Sequence, residues 1–193
     1  VFLDRDGTIN EQMGYVNHPS RFILLPGAAR AIRLLNEAGF LAIVVSNQSG
    51  VARGYFPIDL VHEVHDLMQR GLAEQGARVD GVFFCPHHPG GRVEEYAVPC
   101  DCRKPGPGLI RRAGSQFDID MSRSYVVGDR FSDVELAVGC GLKSVLVETG
   151  YGRGDRRWVL PGREFQPDHI APDLEAAVRW ILEREGAGTA PGL

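Results

Sequence analysis

Residues 1–10 read VFLDRDGTIN, a short apolar run followed by two acidic residues, Asp4 and Asp6, and then Gly7. Val1–Leu3 has the character of the end of a β-strand, and Gly7 marks a turn that is expected to fold Asp6 back over the strand end. The chain begins inside that apolar strand, so residues preceding Val1 are expected. Working outward, the same layout recurs. LAIVV at 41–45 predicts a second strand, and it runs into Ser46-Asn47-Gln48-Ser49-Gly50. Ser124–Val127 predicts another, ending in Gly128-Asp129-Arg130-Phe131-Ser132-Asp133. Arg103-Lys104-Pro105 stands just ahead of a helical stretch leading to that strand. Polar clusters at the carboxyl ends of successive strands are where open α/β sheets bind ligands.

Strands are also predicted at Val82–Phe84 and Ser144–Val147. Amphipathic helical spacing is read over Pro26–Ala38, Ile58–Glu74, Gly108–Phe117, Ser132–Val138 and Asp173–Arg184, the last with Asp173 as its N-cap. Alternating strands and helices define an α/β fold, a three-layer α/β/α sandwich around a mainly parallel sheet. The expectation is one domain over 1–185 and a loose tail, GAGTAPGL, over 186–193. Two long irregular stretches stand out, Cys85–Pro107 and Gly150–Asp168. Loops of that length in a compact domain call for a function or a staple. Arg153, Arg156 and Arg157 in the second are read as an ordinary charged loop.

The composition is that of a soluble globular chain. Among 193 residues the formal net charge is −4, with no basic stretch to offset it, which argues against a nucleic-acid partner. No apolar run approaches the roughly 18 residues of a membrane span. Three of the four cysteines, Cys85, Cys100 and Cys102, cluster beside His87 and His88. That grouping reads as a metal site in a reducing compartment, and the cytoplasm is the expected location. Cys140, between two glycines, reads as a small buried residue.

These residue types assemble into phosphoryl-transfer chemistry. One carboxylate of the Asp4/Asp6 pair can attack phosphorus, and the other can give and take a proton. Asp4, Asp129 and a phosphate dianion would repel one another without a hard divalent cation such as Mg²⁺. Lys104 and the Ser46 hydroxyl can hold the phosphoryl oxygens. A signalling receiver domain uses similar groups on a similar sheet, but a second carboxylate able to serve as acid and base favours turnover.

The four clusters, in this order across about two thirds of the chain, resemble the signatures of the haloacid dehalogenase superfamily: D-x-D-G-T, a strand-end Ser or Thr, a Lys, and G-D-x-x-x-D. The resemblance implies a Rossmann-like sheet with Asp4 as nucleophile and Asp6 as general acid and base. It also implies Mg²⁺ held by Asp4, the Asp6 carbonyl and Asp129, a phosphoryl group stabilised by Ser46 and Lys104, and Asp133 orienting Lys104 or a metal-bound water.

Cys85-Pro86-His87 and Cys100-Asp101-Cys102 carry a narrower likeness, to the heptose-1,7-bisphosphate 7-phosphatase and histidinol-phosphate phosphatase branches. It implies a structural Zn²⁺ on Cys85, His87, Cys100 and Cys102, with His88 as the rival ligand to His87. The insert HPGGRVEEYAVP, 88–99, is long, which is similar to the heptose branch. That branch acts in the supply of activated heptose for lipopolysaccharide; histidinol phosphate is the alternative substrate. By resemblance Gln12, Met13, Gly14, Tyr15, Ser46, Asn47, Gln48 and Ser49 line the substrate pocket. Arg103 grips the remote phosphate or sugar, and Arg130, where relatives often have Lys, contacts substrate beside the metal. A monomer acting on a small phosphorylated sugar, without a large cap domain, is the resulting expectation.

Overall fold

The computed structural model describes residues 1–187; residues 188–193, most of the expected tail, lie outside the described part. Five of its six strands follow the apolar runs: β1 Phe2–Leu3, β2 Ile43–Asn47, β3 Gly81–Cys85, β4 Tyr125–Gly128 and β5 Lys143–Val147. The sixth, β6 His169–Ala171, falls just beyond the stretch expected to be irregular; three residues are too few for a periodic signal. All pairings are parallel, in the order β3-β2-β1-β4-β5-β6. The chain thus runs outward from β1 in one direction and returns to build β4 on its other side. That reversal opens a crevice at the carboxyl ends of β1 and β4.

Side chains alternate across the strands and sort the helices into two layers. Leu3, Val44, Val127 and Val145 join Ile32 and Leu35 of α1 (Ala28–Glu37), Met68 and Leu72 of α2 (Ile58–Ala73), and Val178 and Ile181 of α6 (Leu174–Arg184). On the opposite face, Phe2, Ile43, Val45 and Val126 meet Leu109, Ile110 and Ala113 of α3 (Gly108–Gln116) and Leu136 and Ala137 of α4 (Phe131–Gly139). Each such aliphatic or aromatic side chain contributes about 1.5–3 kcal/mol on burial. These central strands are apolar on both faces because helices cover both.

Local chemistry sets the helix ends. Asp173 caps α6 by accepting from the Ala176 amide at 2.9 Å, as its position predicts. Gly39, at φ 77°, closes α1. At the end of α6, Gly186 takes φ 68°, and the Ala187 amide donates to the Leu182 carbonyl at 2.9 Å while its side chain packs on the core. The packed chain therefore extends through these two residues, which composition alone assigned to the tail.

The stretch expected to be irregular after Gly150 is in part helical. A single turn, α5 (Gly152–Gly154), runs through a π turn at Asp155–Val159 into a 3₁₀ turn at Leu160–Gly162. Its anchor is Asp155, whose carboxylate accepts from the Phe131 amide at 2.7 Å and tethers the start of α4. Arg156 pairs with Glu148 at 2.7 Å and Arg157 lies over the Trp158 ring, as an ordinary charged surface would.

Glu185 ties three elements together. It accepts from the Tyr125 hydroxyl at 2.6 Å, from Arg123 at 2.9 Å and from Lys143 at 3.3 Å. The Tyr125 hydrogen bond, then that of Arg123, pulls its carboxyl down to about 2. A depressed carboxyl stabilises the fold above its unfolded value and loses that contribution as pH falls toward the folded one. Glu185→Gln is expected to cost about 1 kcal/mol at pH 7, with Arg123 and Lys143 partly screened by solvent. Urea titrations from pH 7 to pH 3 should show this gap constant above about 4.5 and shrinking below it.

Candidate active site and metal cluster

Asp4 follows β1 directly, and its amide continues the ladder by donating to the Val127 carbonyl of β4 at 2.8 Å. Asp129 follows β4, one strand away. The carboxylates of Asp4, Asp129 and Asp133 are buried and offer oxygens within 4.8 Å of one another. Lys104 lies among them, 2.8 Å from Asp4 Oδ1 and 2.7 Å from Asp133 Oδ1, with its third bond to the Val45 carbonyl at 2.9 Å. Asn47 holds the lysine in register by exchanging two hydrogen bonds with its backbone, at 3.0 and 3.1 Å. Asp133 also accepts from the Arg130 amide at 3.2 Å, so it caps α4 and faces the lysine together.

One ammonium does not balance three carboxylates. Burial, partly offset by Lys104, pushes Asp4 up to about 6; burial and the charge of Asp4 push Asp129 up to about 8. Asp129 Oδ2 accepts from the Tyr151 amide at 2.8 Å, while its buried Oδ1 has no protein partner. An orphaned carboxylate oxygen beside a second carboxylate, in a site with a charge deficit, fits a hard divalent cation with oxygen ligands.

Gly7, at φ 86°, makes the turn after Asp4. There is no room for a Cβ at Gly7 beside Asp129 and Gly150, and its carbonyl accepts from Thr149 at 2.5 Å, so the loop after β5 closes over this side of the site. Asp6 is turned back as expected, but it is also clamped. Arg5 forks it at 2.8 and 2.9 Å, Asn10 donates at 2.9 Å and Gln48 at 2.8 Å. Burial opposes ionisation here, yet the Arg5 charge and these hydrogen bonds hold the carboxyl below its usual range. Gln48 also donates to the Ser46 hydroxyl at 2.8 Å, which joins the first two clusters.

These groups floor a cavity of about 410 Å³. Its lining includes Asp4, Asp6, Ser46, Asn47, Gln48, Ser49, Arg103, Lys104, Asp129 and Arg130, together with Gln12, Gly14 and Tyr15. Met13 is the exception among the expected lining residues. Its carbonyl accepts from Arg21, and its neighbours on either side reach the cavity while it does not. Four further residues line the cavity without having been given a role from sequence: Val16, Arg53, Ser132 and Tyr151. Tyr151 carries the Arg130 guanidinium 4.4 Å above its ring, and its place just after β5 was the available signal.

Behind the second and third clusters, Cys85, His87, Cys100 and Cys102 converge. Two sulfur pairs stand 3.4 Å apart, and His87 Nδ1 lies 3.3 and 3.7 Å from the sulfurs of Cys102 and Cys85. All four cysteines of the chain are free thiols. The separations approach the edges, about 3.7 Å, of a tetrahedron with metal–sulfur bonds of about 2.3 Å. Four such donors within 4.8 Å fit a metal ion. His88 turns instead to Arg53, with 2.9 Å between Nε2 and Nη2. Cys140 is half-buried, where full burial was expected; it packs against the core and is not among the four converging donors.

Fold and site define a class, the haloacid-dehalogenase-like phosphatases, and a family profile described as HAD-hydrolase-like matches residues 101–177. Over 188 residues the chain is 46% identical to D-glycero-D-manno-heptose-1,7-bisphosphate 7-phosphatase of Thermosynechococcus vestitus, covering 94% of each. It is 41% identical to D-glycero-beta-D-manno-heptose-1,7-bisphosphate 7-phosphatase of Escherichia coli K12, over 94% of this chain and 87% of that one. A crystal structure of D,D-heptose 1,7-bisphosphate phosphatase from B. bronchiseptica, complexed with magnesium and phosphate, superposes with a TM-score of 0.83 at 35% identity, covering 95% and 98% of the two chains. The chain belongs to the heptose-1,7-bisphosphate 7-phosphatase family of HAD-like enzymes and is a phosphatase. Membership in that family sets aside the receiver-domain alternative.

The packing at Gly7 makes a test. A Cβ there would strike Asp129, whereas one at Gly39, also at positive φ, would meet nothing within 4 Å. Gly39→Ala should cost only backbone strain, about 1 kcal/mol, with turnover intact. Gly7→Ala should cost about 2 kcal/mol or more by thermal melting and lower phosphate release at least tenfold.

Proposed function

We propose that this enzyme removes the 7-phosphate of D-glycero-D-manno-heptose 1,7-bisphosphate, with Asp4 as the covalent nucleophile. The observation that carries the chemistry is the meeting of Asp4, the half-satisfied Asp129 carboxylate and Lys104 at the adjoining ends of β1 and β4. The names of relatives that align over nearly their whole length support the substrate.

In the proposed reaction a carboxylate oxygen of Asp4 forms a bond to phosphorus as the bond from phosphorus to the sugar oxygen breaks. Asp6 gives its proton to the departing oxygen. It then takes one from the water that attacks the aspartyl phosphate, releasing inorganic phosphate and restoring Asp4. The Asn10, Arg5 and Gln48 contacts orient Asp6 for both transfers; because they keep it ionised at rest, the proton it gives to the leaving oxygen is one it takes from a protonated phosphate oxygen of the entering substrate. Ser46 and Lys104 hold the phosphoryl oxygens, and Asp133 keeps the ammonium aimed. Mg²⁺ on Asp4, the Asp6 carbonyl and Asp129 would offset the charge gathered around phosphorus.

We further place a structural Zn²⁺ on Cys85, His87, Cys100 and Cys102, where four protein donors leave no position for water. Gln12, Gly14, Tyr15 and the 46–49 segment would bind the sugar, and Arg103 and Arg130 its anionic ends. Residues 1–187 would form one catalytic domain of a cytoplasmic monomer serving heptose activation; among the described residues no helix is long and apolar enough to cross a membrane.

Asp4→Asn should reduce turnover by on the order of 10³-fold or more while leaving the melting temperature close to wild type. Steady-state phosphate release should favour heptose bisphosphate over histidinol phosphate by at least tenfold in kcat/KM, about 1.4 kcal/mol of discrimination. A reversed preference would overturn the substrate reading. Cys100→Ser should lose bound zinc, read by metal analysis, and reduce activity through the adjoining Arg103 and Lys104; full zinc content would exclude Cys100 as a ligand.

A further inference from the structure

The clamp on Asp6 is itself only partly satisfied. Arg5 is the largest fully buried side chain among the described residues, 1% exposed. Its Nε and Nη2 stand 3.3 and 2.9 Å from Asp6 Oδ1, and Nη2 lies 2.8 Å from Oδ2. Its third nitrogen, Nη1, is buried too and has no partner among the described residues. A guanidinium can only donate, so Nη1 calls for an acceptor. Leaving a buried charged donor unmet costs more than leaving a neutral one.

A group able to accept lies close by. Arg5 stands two residues beyond Leu3, whose side chain packs in the layer of α1 and α2. On α2, His65 is buried, and its ring meets Phe84 of β3 edge to face with centroids 5.3 Å apart. Burial, and after it the charge of Arg5, holds this ring neutral, its pKa down to about 3. A neutral imidazole keeps one nitrogen free to accept. Nε2 of His65 is the second orphan, buried and without a partner among the described residues. An unmet donor thus neighbours an unmet acceptor, and neither has a role in the reaction as proposed. A buried water commonly bridges such groups.

We infer that His65 is a positioning residue for proton transfer. Through one buried water its Nε2 takes the hydrogen bond that Arg5 Nη1 offers, locking the fork that aims Asp6 at the leaving oxygen. The inference rests on the proposed role of Asp6 as general acid. A guanidinium tied only at Asp6 can swing with the carboxylate; one tied on both sides fixes its plane, and with it the carboxylate.

The test uses two leaving groups. A sugar oxygen needs a proton as its bond to phosphorus breaks, whereas p-nitrophenolate leaves without one. Comparing kcat/KM confines the measurement to that cleavage and excludes later hydrolysis of the aspartyl phosphate. Asp6→Asn should lower the ratio of kcat/KM for heptose 1,7-bisphosphate to that for p-nitrophenyl phosphate by about 10²-fold. His65→Phe keeps a ring and removes the acceptor; it should lower the same ratio about tenfold. His65→Gln, whose amide oxygen can accept, should restore most of it. Adding His65→Phe to Arg5→Lys, which has no fork left to lock, should lower the ratio no further. Heteronuclear NMR of wild type labelled in histidine, with His65 assigned by its loss in His65→Gln, should show Nδ1 protonated and Nε2 bare. An unchanged ratio in His65→Phe, equal losses on both substrates, additive losses in the double variant or a proton on Nε2 each overturn the inference. If Asp6→Asn shows no bias between the substrates, the general-acid reading fails first. The protonated nitrogen of His65 then still decides whether its ring serves Arg5.

Discussion

A single buried ammonium, that of Lys104, is the constraint around which the site is organised. Its three bonds go to the end of β1 through Asp4, to β2 through the Val45 carbonyl and to the first turn of α4 through Asp133. Its backbone is fastened to β2 by Asn47. A buried ammonium left with no compensating charge would cost about 3–5 kcal/mol, so these elements are jointly held where the lysine needs them. Two strands and a helix N-terminus are thereby brought to one point, although their residues are up to 129 positions apart in sequence.

The lysine does not complete the electrostatics. The floor of the cavity has more carboxylate than cation, and Asp129 retains an oxygen that nothing in the protein satisfies. A cation at the carboxylates would cancel that imbalance. Neither the net charge of −4 nor any average over the chain carries that information; it resides in where burial leaves charges alone.

The Cys/His loop supports one wall of the site. Its ligand pairs sit at the end of β3 and immediately before Arg103-Lys104, and its middle lies on the turn that carries Arg53. Small α/β sites without an inserted cap must obtain their substrate contacts from short loops, and such loops need external support. The stretch after Gly150 supports the other wall. Thr149 and the Tyr151 amide reach Gly7 and Asp129, and Asp155 holds the start of α4. Its length without apolar periodicity made it read as a plain loop, because its bonds run to other elements and leave no local pattern.

The sequence alone was enough to determine the parallel α/β class, five strands, the five longer helices, the four polar clusters and the Cys/His set. Apolar period, caps and motif spacing are local properties of a chain. Tertiary structure decided the rest. It placed β4 beside β1, making neighbours of Asp4 and Asp129, and it turned His87 to the cysteines and His88 to Arg53. It also left Met13 off the cavity that Gln12 and Gly14 reach, and brought in Val16, Arg53, Ser132 and Tyr151. The reason is that side-chain direction and the pairing of charges depend on which distant segments pack together, and no short window of sequence contains both partners.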